Sequence, residues 1–216
     1  MDLLQTAIKY AECAHEGERF RYVAGVYYTH VKAVSERMHT VPEKVVAVMH
    51  DVVESKVRKH LGRTPHYVAE EAHIVRALNE IALHFRANDC DIEFLLPELN
   101  ILTKRGKDTN YLDYIARIAG HAARTGSLIA PKVKMADLAF NSQVDHNPSF
   151  SQQSDEDKIR LKQYAEAREF LRWMFPEISL KPISGNLKNA PGRRPERRLS
   201  RKHLRQQVML EWDLHI

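Results

Sequence analysis

The chain is poor in the residues that build exported or fibrous proteins. Its two cysteines, Cys13 and Cys90, have no CxxC spacing, which excludes a disulfide scaffold and is typical of a reducing cytosol. Eight glycines and nine prolines in 216 residues exclude collagen-like and low-complexity classes. No apolar run approaches the roughly 20 residues that span a bilayer, and the N-terminus lacks a signal-peptide pattern. We therefore expect a cytoplasmic protein with no membrane partner.

Positive charge is concentrated at one end of the sequence. The net charge is +5, and residues 181–216 hold nine Lys or Arg against three acidic residues. This segment therefore carries +6, and residues 1–180 carry −1. The sequence predicts one main domain over residues 1–180 and a basic C-terminal arm over residues 181–216.

Apolar residues recur at helical spacing through most of residues 1–180, and strand signals are few. The pattern predicts an all-α fold. A first-turn proline, Pro42, opens a helix that is apolar over most of its circumference and runs through Val53. Ser154, followed by three acidic residues, is a candidate helix start, and a last long helix is predicted over Tyr164 to Met174, ending near Pro176. The other predicted helices lie at about 2–16, 28–38, 68–85, 91–103, 109–124 and 127–141.

The stretch VMHDVVES, residues 48–55, carries three polar groups on the apolar central helix. On a helix, residues i and i+4, here His50 and Glu54, stack on one face, and residue i+1 is turned by about 100°. His50 and Asp51 can therefore share one ion, and Glu54 lies near that ion, one turn further along. Imidazole nitrogen and carboxylate oxygen suit Mn, Fe, Co or Zn better than Ca. Taken alone, however, a His–Asp pair more often indicates an ordinary polar helix surface.

Two further segments carry isolated polar groups among apolar residues. His30 lies in AGVYYTHVKAV, and Asp137 lies in KVKMADLAFNS. A carboxylate on a mostly apolar helix is costly to bury unless it is paired or bound to a metal. Asn141 follows four residues after Asp137, on the same helix face, and can offer an amide to a ligand or substrate.

In their order along the chain, His30, the pair His50–Asp51 and Asp137 resemble the H…HD…D signature of HD-superfamily metal-dependent phosphohydrolases. AECAHEGERFRYVAGVYYTH, AVMHDVVES and VKMADLAFN are similar to the (p)ppGpp hydrolase domains of RelA/SpoT type and their small single-domain relatives. LTKRGKDTNYLDYIARI resembles a segment of those small relatives, and the resemblance covers about residues 5–175. It implies an enzyme with an HD-domain helical bundle and one divalent ion, usually manganese. The implied activity is phosphohydrolysis of a small nucleotide, first of all 3′-pyrophosphohydrolysis of (p)ppGpp or a close analogue.

The resemblance also implies roles for individual residues. The related hydrolases have Glu-Asp where this chain has Glu54-Ser55, and a serine is not a useful base at neutral pH. Three hypotheses stay open: Glu54 suffices, the substrate is a different phosphorylated nucleotide, or activity has been lost. Glu54 is the implied catalytic residue, and the implied metal ligands are His30, His50, Asp51 and Asp137.

Substrate contacts follow from the resemblance as well. The family's arginine aligns with Arg19 or Arg21, and we favour Arg19. Lys104 would face the phosphates, and Tyr111 or its alternative Tyr114 would lie near the base or ribose. Without the resemblance, this basic loop indicates only solubility and the tyrosines indicate only packing. The expected contacts are Arg19, Lys104, Tyr111 and Asn141.

The basic arm supports two other hypotheses. GRRPERRLSRKHLR could neutralise nucleic-acid phosphates, but it has little aromatic interleaving and such tails are often solvated or bound to their own domain. A nucleic-acid partner is therefore less favoured than a small nucleotide. The terminal VMLEWDLHI could pack on a neighbouring subunit, which would make the protein a homo-oligomer, or it could dock within the same chain.

Overall fold

The computed structural model describes residues 2–19, 27–61, 71–106, 108, 110–143 and 153–182. Over these ranges the chain forms an all-α bundle without strands, as the sequence periodicity predicts. None of the described helices has the length and apolar character to cross a bilayer. Arg21 and residues 183–216, which are most of the predicted basic arm, lie outside the described residues.

Three of the described helices carry clear start signals. Thr40, Asn110 and Ser154 each form a capping box at a helix start, in which the side chain accepts from a backbone N–H one turn on. The helices are α1 Leu3–Ala14, α2 Tyr28–Glu36, α3 Val41–Met49, α4 Val52–Leu61, α5 Glu71–Arg86, α6 Leu96–Leu102, α7 Tyr111–Thr125, α8 Ile129–Asn141 and α9 Asp155–Met174, with a 3-10 turn at Glu93–Leu95 before α6.

Helix α3 is the centre of the bundle. Its residues Val45 to Met49 are all buried, and it packs against α1, α2, α6 and α8. Lys132 of α8 reaches the start of α3, where its Nζ donates to Glu43 at 2.6 Å. Burial of this apolar stretch holds the end of α3 at a defined place between α2 and α8.

The expectation of one continuous helix from Pro42 to Val53 is wrong, because the helix breaks at residues 50 and 51. α3 ends at Met49, and α4 begins at Val52, so His50 and Asp51 form the turn between two helices. Nδ1 of His50 lies 2.6 Å from the carbonyl oxygen of Ala47. In an unbroken helix, the backbone N–H of residue 51 would donate to that oxygen. The imidazole of His50 therefore takes the place of a backbone donor where the helix breaks.

Candidate metal centre

Side chains from α2, the α3–α4 turn and α8 meet at one point in the bundle. Nε2 of His30 lies 3.6 Å from Oδ2 of Asp51 and 3.2 Å from Oδ1 of Asp137. Nε2 of His50 lies 3.0 Å from the same Asp51 oxygen and 3.9 Å from the same Asp137 oxygen. The four residues that the sequence singles out as ligands are therefore neighbours in space, although His30 and Asp137 lie far apart in sequence.

The spacing of these atoms suits a single divalent ion. Ligand atoms of His30, His50 and Asp51 lie within 4.8 Å of one another. Donors about 2.1 Å from one ion are separated by about 3.0 Å at octahedral and about 3.4 Å at tetrahedral angles. The observed separations, 3.0 to 3.9 Å, span these values. Two imidazole nitrogens and two carboxylate oxygens fit a borderline divalent ion such as Mn²⁺.

The helix break sets the tautomer of His50. Because the Ala47 carbonyl oxygen only accepts hydrogen bonds, Nδ1 of His50 carries the proton and donates it. When the ring is neutral, its Nε2 lone pair therefore faces Asp51 and Asp137. A hydrogen bond of this kind orients metal-binding histidines in proteins, and so the residues present fit a metal site.

A buried carboxylate, Asp137, and a partly buried one, Asp51, attract positive charge to this point. Burial lowers the pKa of His30, but Asp137 and Asp51 outweigh burial and raise it to about 9. Burial also lowers the pKa of His50, and Asp51 outweighs it, so this pKa is raised as well. Burial raises the pKa of Asp51, but the imidazoles of His50 and His30 bring it well below its usual value. The two carboxylates thus favour protonated imidazoles at this point.

Asp137 has a further partner on each side of its carboxylate. Nζ of Lys134 donates to Oδ2 at 2.7 Å, and the amide of Asn141 donates to Oδ1 at 2.5 Å. Burial raises the pKa of Asp137, but Lys134 and His30 reverse the shift and lower it. The expected substrate contact Asn141 thus orients Asp137 in the structure, and only Oδ1 of Asp137 faces the two histidines.

Glu54 lies at the edge of the site, one turn after Asp51. Its Oε1 accepts a hydrogen bond of 2.8 Å from the backbone N–H of Lys104. Burial and the charge of Asp51 raise the pKa of Glu54, and the Lys104 bond opposes them. Lys104 therefore reaches the site through its backbone, while its exposed ammonium lies 5.9 Å from the centre of the Tyr111 ring.

Tyr111 belongs to an aromatic cluster beside Asp137. Its ring centre lies 5.8 Å from that of Tyr114 and 5.4 Å from that of Tyr164. Nζ of Lys134 lies 4.9 Å from the Tyr114 ring and 5.7 Å from the Tyr111 ring. Tyr114 is buried and its hydroxyl donates to the Leu102 carbonyl, so it serves packing, whereas Tyr111 is only partly buried.

Arg19 is exposed, and no described contact brings it to the four ligand groups. The backbone N–H of Tyr27 donates to the carbonyl of Glu18 at 3.0 Å. The choice between Arg19 and Arg21 therefore stays a prediction, since Arg21 lies outside the described residues.

Ser55 takes no part in the cluster of ligand groups. It is fully buried, and its single O–H proton is shared between Oε1 of Glu18 at 2.5 Å and the Ala14 carbonyl at 3.0 Å. Nδ1 of His15 lies 2.9 Å from Oε2 of Glu18. Burial raises the pKa of Glu18, but hydrogen bonds with His15 and Ser55 lower it below the usual value. At the position where the hydrolases that the motifs resemble have an acid, a serine thus anchors a carboxylate supplied by the segment after α1.

Sequence reasoning missed two residues that hold the ligands in place. Lys134 precedes Asp137 by three positions, and Tyr27 precedes His30 by three positions. The Tyr27 hydroxyl donates to Oδ2 of Asp51 at 2.6 Å. Spacing by three on a helix places side chains on one face, and this signal could have identified both residues.

No protein-family model matches the chain, and a search of curated proteins finds no match. The candidate site therefore stands on its geometry and on the resemblance carried by its motifs.

A separate cavity of about 600 Å³ lies between α1, α4 and α5. Tyr10, Lys56, Lys59 and His84 are among the residues that line it, and none of the expected site residues does. Lys56 and Lys59 are already engaged, with Glu80 at 2.9 Å and with the Ala14 carbonyl at 2.5 Å. We assign no role to this cavity.

Proposed function

We propose that the protein is a metal-dependent phosphohydrolase of the HD type that acts on a small phosphorylated nucleotide. The first substrate to test is (p)ppGpp, with removal of the 3′-pyrophosphate. One observation carries the proposal: ligand atoms of His30, His50 and Asp51 lie within 4.8 Å of one another, and Oδ1 of Asp137 lies 3.2 Å and 3.9 Å from the two imidazoles. The motif resemblance supports the substrate class.

A divalent ion, most readily Mn²⁺, would be held by His30, His50, Asp51 and Asp137. When bound, such an ion polarises a phosphoryl oxygen and lowers the pKa of water. Lys134 occupies Oδ2 of Asp137 and so leaves one oxygen of that carboxylate for the ion. A donor set of four leaves further positions for water and a substrate oxygen.

Glu54 is the residue that removes a proton from the attacking water. Its raised pKa, caused by burial and by Asp51, brings the carboxylate closer to neutral pH, where a general base works best. The backbone N–H of Lys104 fixes the orientation of one Glu54 oxygen. Ser55 lends it no second carboxylate, so Glu54 alone performs this step.

Cationic and aromatic groups beside Asp137 suit an anionic nucleotide. The side chain of Lys134 is 12% exposed, and its ammonium lies at the inner end of this surface. The exposed Lys104 lies at the outer end. Between them, the partly buried ring of Tyr111 offers a face for a base or ribose. We propose that the phosphates face the two lysines and the nucleoside faces Tyr111.

The proposal is tested by metal analysis of the purified chain, followed by phosphate and pyrophosphate release from a panel of guanosine and adenosine polyphosphates with Mn²⁺. We expect turnover of at least one 3′-pyrophosphorylated nucleotide. E54Q should keep the metal and lower kcat by about 10²- to 10⁴-fold. E169Q, which alters an exposed carboxylate on α9, is the matched control. Metal binding without turnover of any nucleotide would contradict the proposed activity while leaving the metal site intact.

A further inference from the structure

The C-terminal end of α6 is held by side chains of α7. Helix α6 ends at Leu102, and the last carbonyl groups of a helix have no partner within it. Nη1 and Nη2 of Arg117 donate to the carbonyls of Ile101 at 3.1 Å and Thr103 at 2.9 Å. The Tyr114 hydroxyl donates to the Leu102 carbonyl between them. Three consecutive carbonyls are thus bound by α7, which fixes the path of the chain as it leaves α6.

The same guanidinium also holds the loop between α6 and α7. Nε and Nη2 of Arg117 donate to the two carboxylate oxygens of Asp108 at 3.2 Å and 2.9 Å. Oδ2 of Asp108 in turn accepts from the backbone N–H of Arg105 at 2.7 Å. The side chains of Arg117 and Asp108 are only 16% and 5% exposed. A two-pronged ion pair of this kind fixes direction as well as distance.

Lys104 lies between these two anchors. The carbonyl of the preceding residue is bound to Arg117, and the N–H of the following residue is bound to Asp108. The N–H of Lys104 itself donates to Oε1 of Glu54 at 2.8 Å. None of the described hydrogen bonds of Arg117 goes to Glu54. Arg117 therefore reaches Glu54 through the backbone of Lys104.

We propose that Arg117 is a positioning residue for the hydrolysis, because it fixes the Lys104 N–H that orients Glu54. This inference rests on the proposed function, in which Glu54 takes a proton from water. A general base must lie within hydrogen-bond reach of that proton, and a small misplacement of reacting groups costs much of the rate. Arginine suits this role, since its planar guanidinium carries five donors in a rigid arrangement, whereas a lysine ammonium is a point charge on a flexible chain.

The first test is a double-mutant cycle of kcat with R117Q and E54Q, measured with Mn²⁺ at saturating nucleotide. If Arg117 acts through Glu54, its loss should matter only while Glu54 is present. We expect R117Q to lower kcat about tenfold or more in the wild-type background, and by less than about twofold in the E54Q background. Equal losses in both backgrounds would indicate a purely structural role and overturn the proposal, and so would an unchanged kcat of R117Q in the wild-type background.

The second test measures the same link without metal or turnover. NMR follows the solvent exchange of the Lys104 amide proton in wild type and R117Q. We expect this exchange to be about tenfold or more faster in R117Q, while amides in the middle of α7 stay protected. Wild-type exchange at Lys104 in R117Q would overturn the proposal even if the enzyme is active. An inactive wild type with faster exchange in R117Q would contradict the proposed function and still support the link from Arg117 to Lys104.

The matched control is R124Q, which removes the same charge from α7 two turns further along. Arg124 is exposed, and the described contacts show no bond from it to this loop. R124Q should keep the wild-type kcat and exchange, and an equal loss in R124Q would also overturn the proposal. Because R117Q leaves the carboxylate of Asp108 buried without its partner, D108N/R117Q is the second variant. It should show the same loss of kcat, and thermal unfolding of each variant verifies that the fold is retained.

Discussion

The hydroxyl of Tyr27 donates a 2.6 Å hydrogen bond to Oδ2 of Asp51, the oxygen that also faces Nε2 of His50 at 3.0 Å. Burial and the charge of Asp51 raise the pKa of Tyr27 well above its usual value, so the phenol stays a donor at neutral pH. Tyr27 therefore orients the carboxylate that the ion would use.

Removing this hydroxyl should weaken metal binding without unfolding the protein. We expect Y27F to lower Mn²⁺ affinity by about tenfold or more, since partners of ligand side chains typically contribute 10- to 100-fold. Isothermal titration with Mn²⁺ measures the effect. Y28F is the control, because Tyr28 is a neighbouring tyrosine for which the described contacts show no bond to a ligand group. Equal affinity of Y27F and wild type would show that Asp51 needs no such partner.

An aspartate at position 55 should destabilise the protein. Ser55 is fully buried, and its hydroxyl lies 2.5 Å from Glu18, so S55D would bury two carboxylates against each other. We expect S55D to lower the free energy of unfolding by about 3 kcal/mol, and S55A by about 1 kcal/mol. Urea unfolding gives both values. An S55D variant that is as stable as wild type and turns over substrate faster would contradict this prediction, because it would show that residue 55 contacts the reacting groups.

The start of α3 should make the fold sensitive to acid. Burial raises the pKa of Glu43, but bonds from Lys132, Thr40 and His39 lower it below 4.5 in the folded state. Its stabilising contribution is therefore complete above pH 4.5 and is lost as the pH falls through the lower folded value. E43Q should be less stable than wild type by about 2 kcal/mol at pH 7, and urea unfolding should show this gap closing below pH 4.5. If the stability difference between E43Q and wild type did not change with pH, the ionised Glu43–Lys132 pair would not be its cause.

Metal binding should release protons. The pKa of His30 is raised to about 9, so its ring carries a proton at pH 7.5 that a metal ligand must lose. We expect Mn²⁺ to release about one proton or more per chain, and its affinity to rise about tenfold per pH unit for each proton released. Titration calorimetry in buffers of different ionisation enthalpy measures this number. Binding without proton release would place the ion away from His30.

Periodicity could predict the helices but not the break that shapes the site. Val52 and Val53 continue the apolar pattern beyond His50 and Asp51. Nothing in that pattern shows that the His50 side chain, and not a backbone N–H, would bond to the Ala47 carbonyl. The motif order could predict which side chains meet, because it carries tertiary information that local spacing lacks.

Other features depend on packing between distant segments. The direction in which Ser55 points is set by Glu18 and the end of α1, some forty residues earlier. The pairing of Arg37 with Lys181 joins positions 144 residues apart. Lys134, in contrast, could have been predicted, since it stands three positions before a buried acid on the same helix.

The most direct test of the metal centre is the Mn²⁺ stoichiometry and affinity of wild type, D137N and D155N. Asp155 is a matched control, because its side chain is 94% exposed at the start of α9. We predict one ion per chain for wild type and D155N, and an affinity at least 100-fold weaker for a folded D137N. No bound ion in wild type, or the same affinity in D137N, would contradict the proposed metal centre.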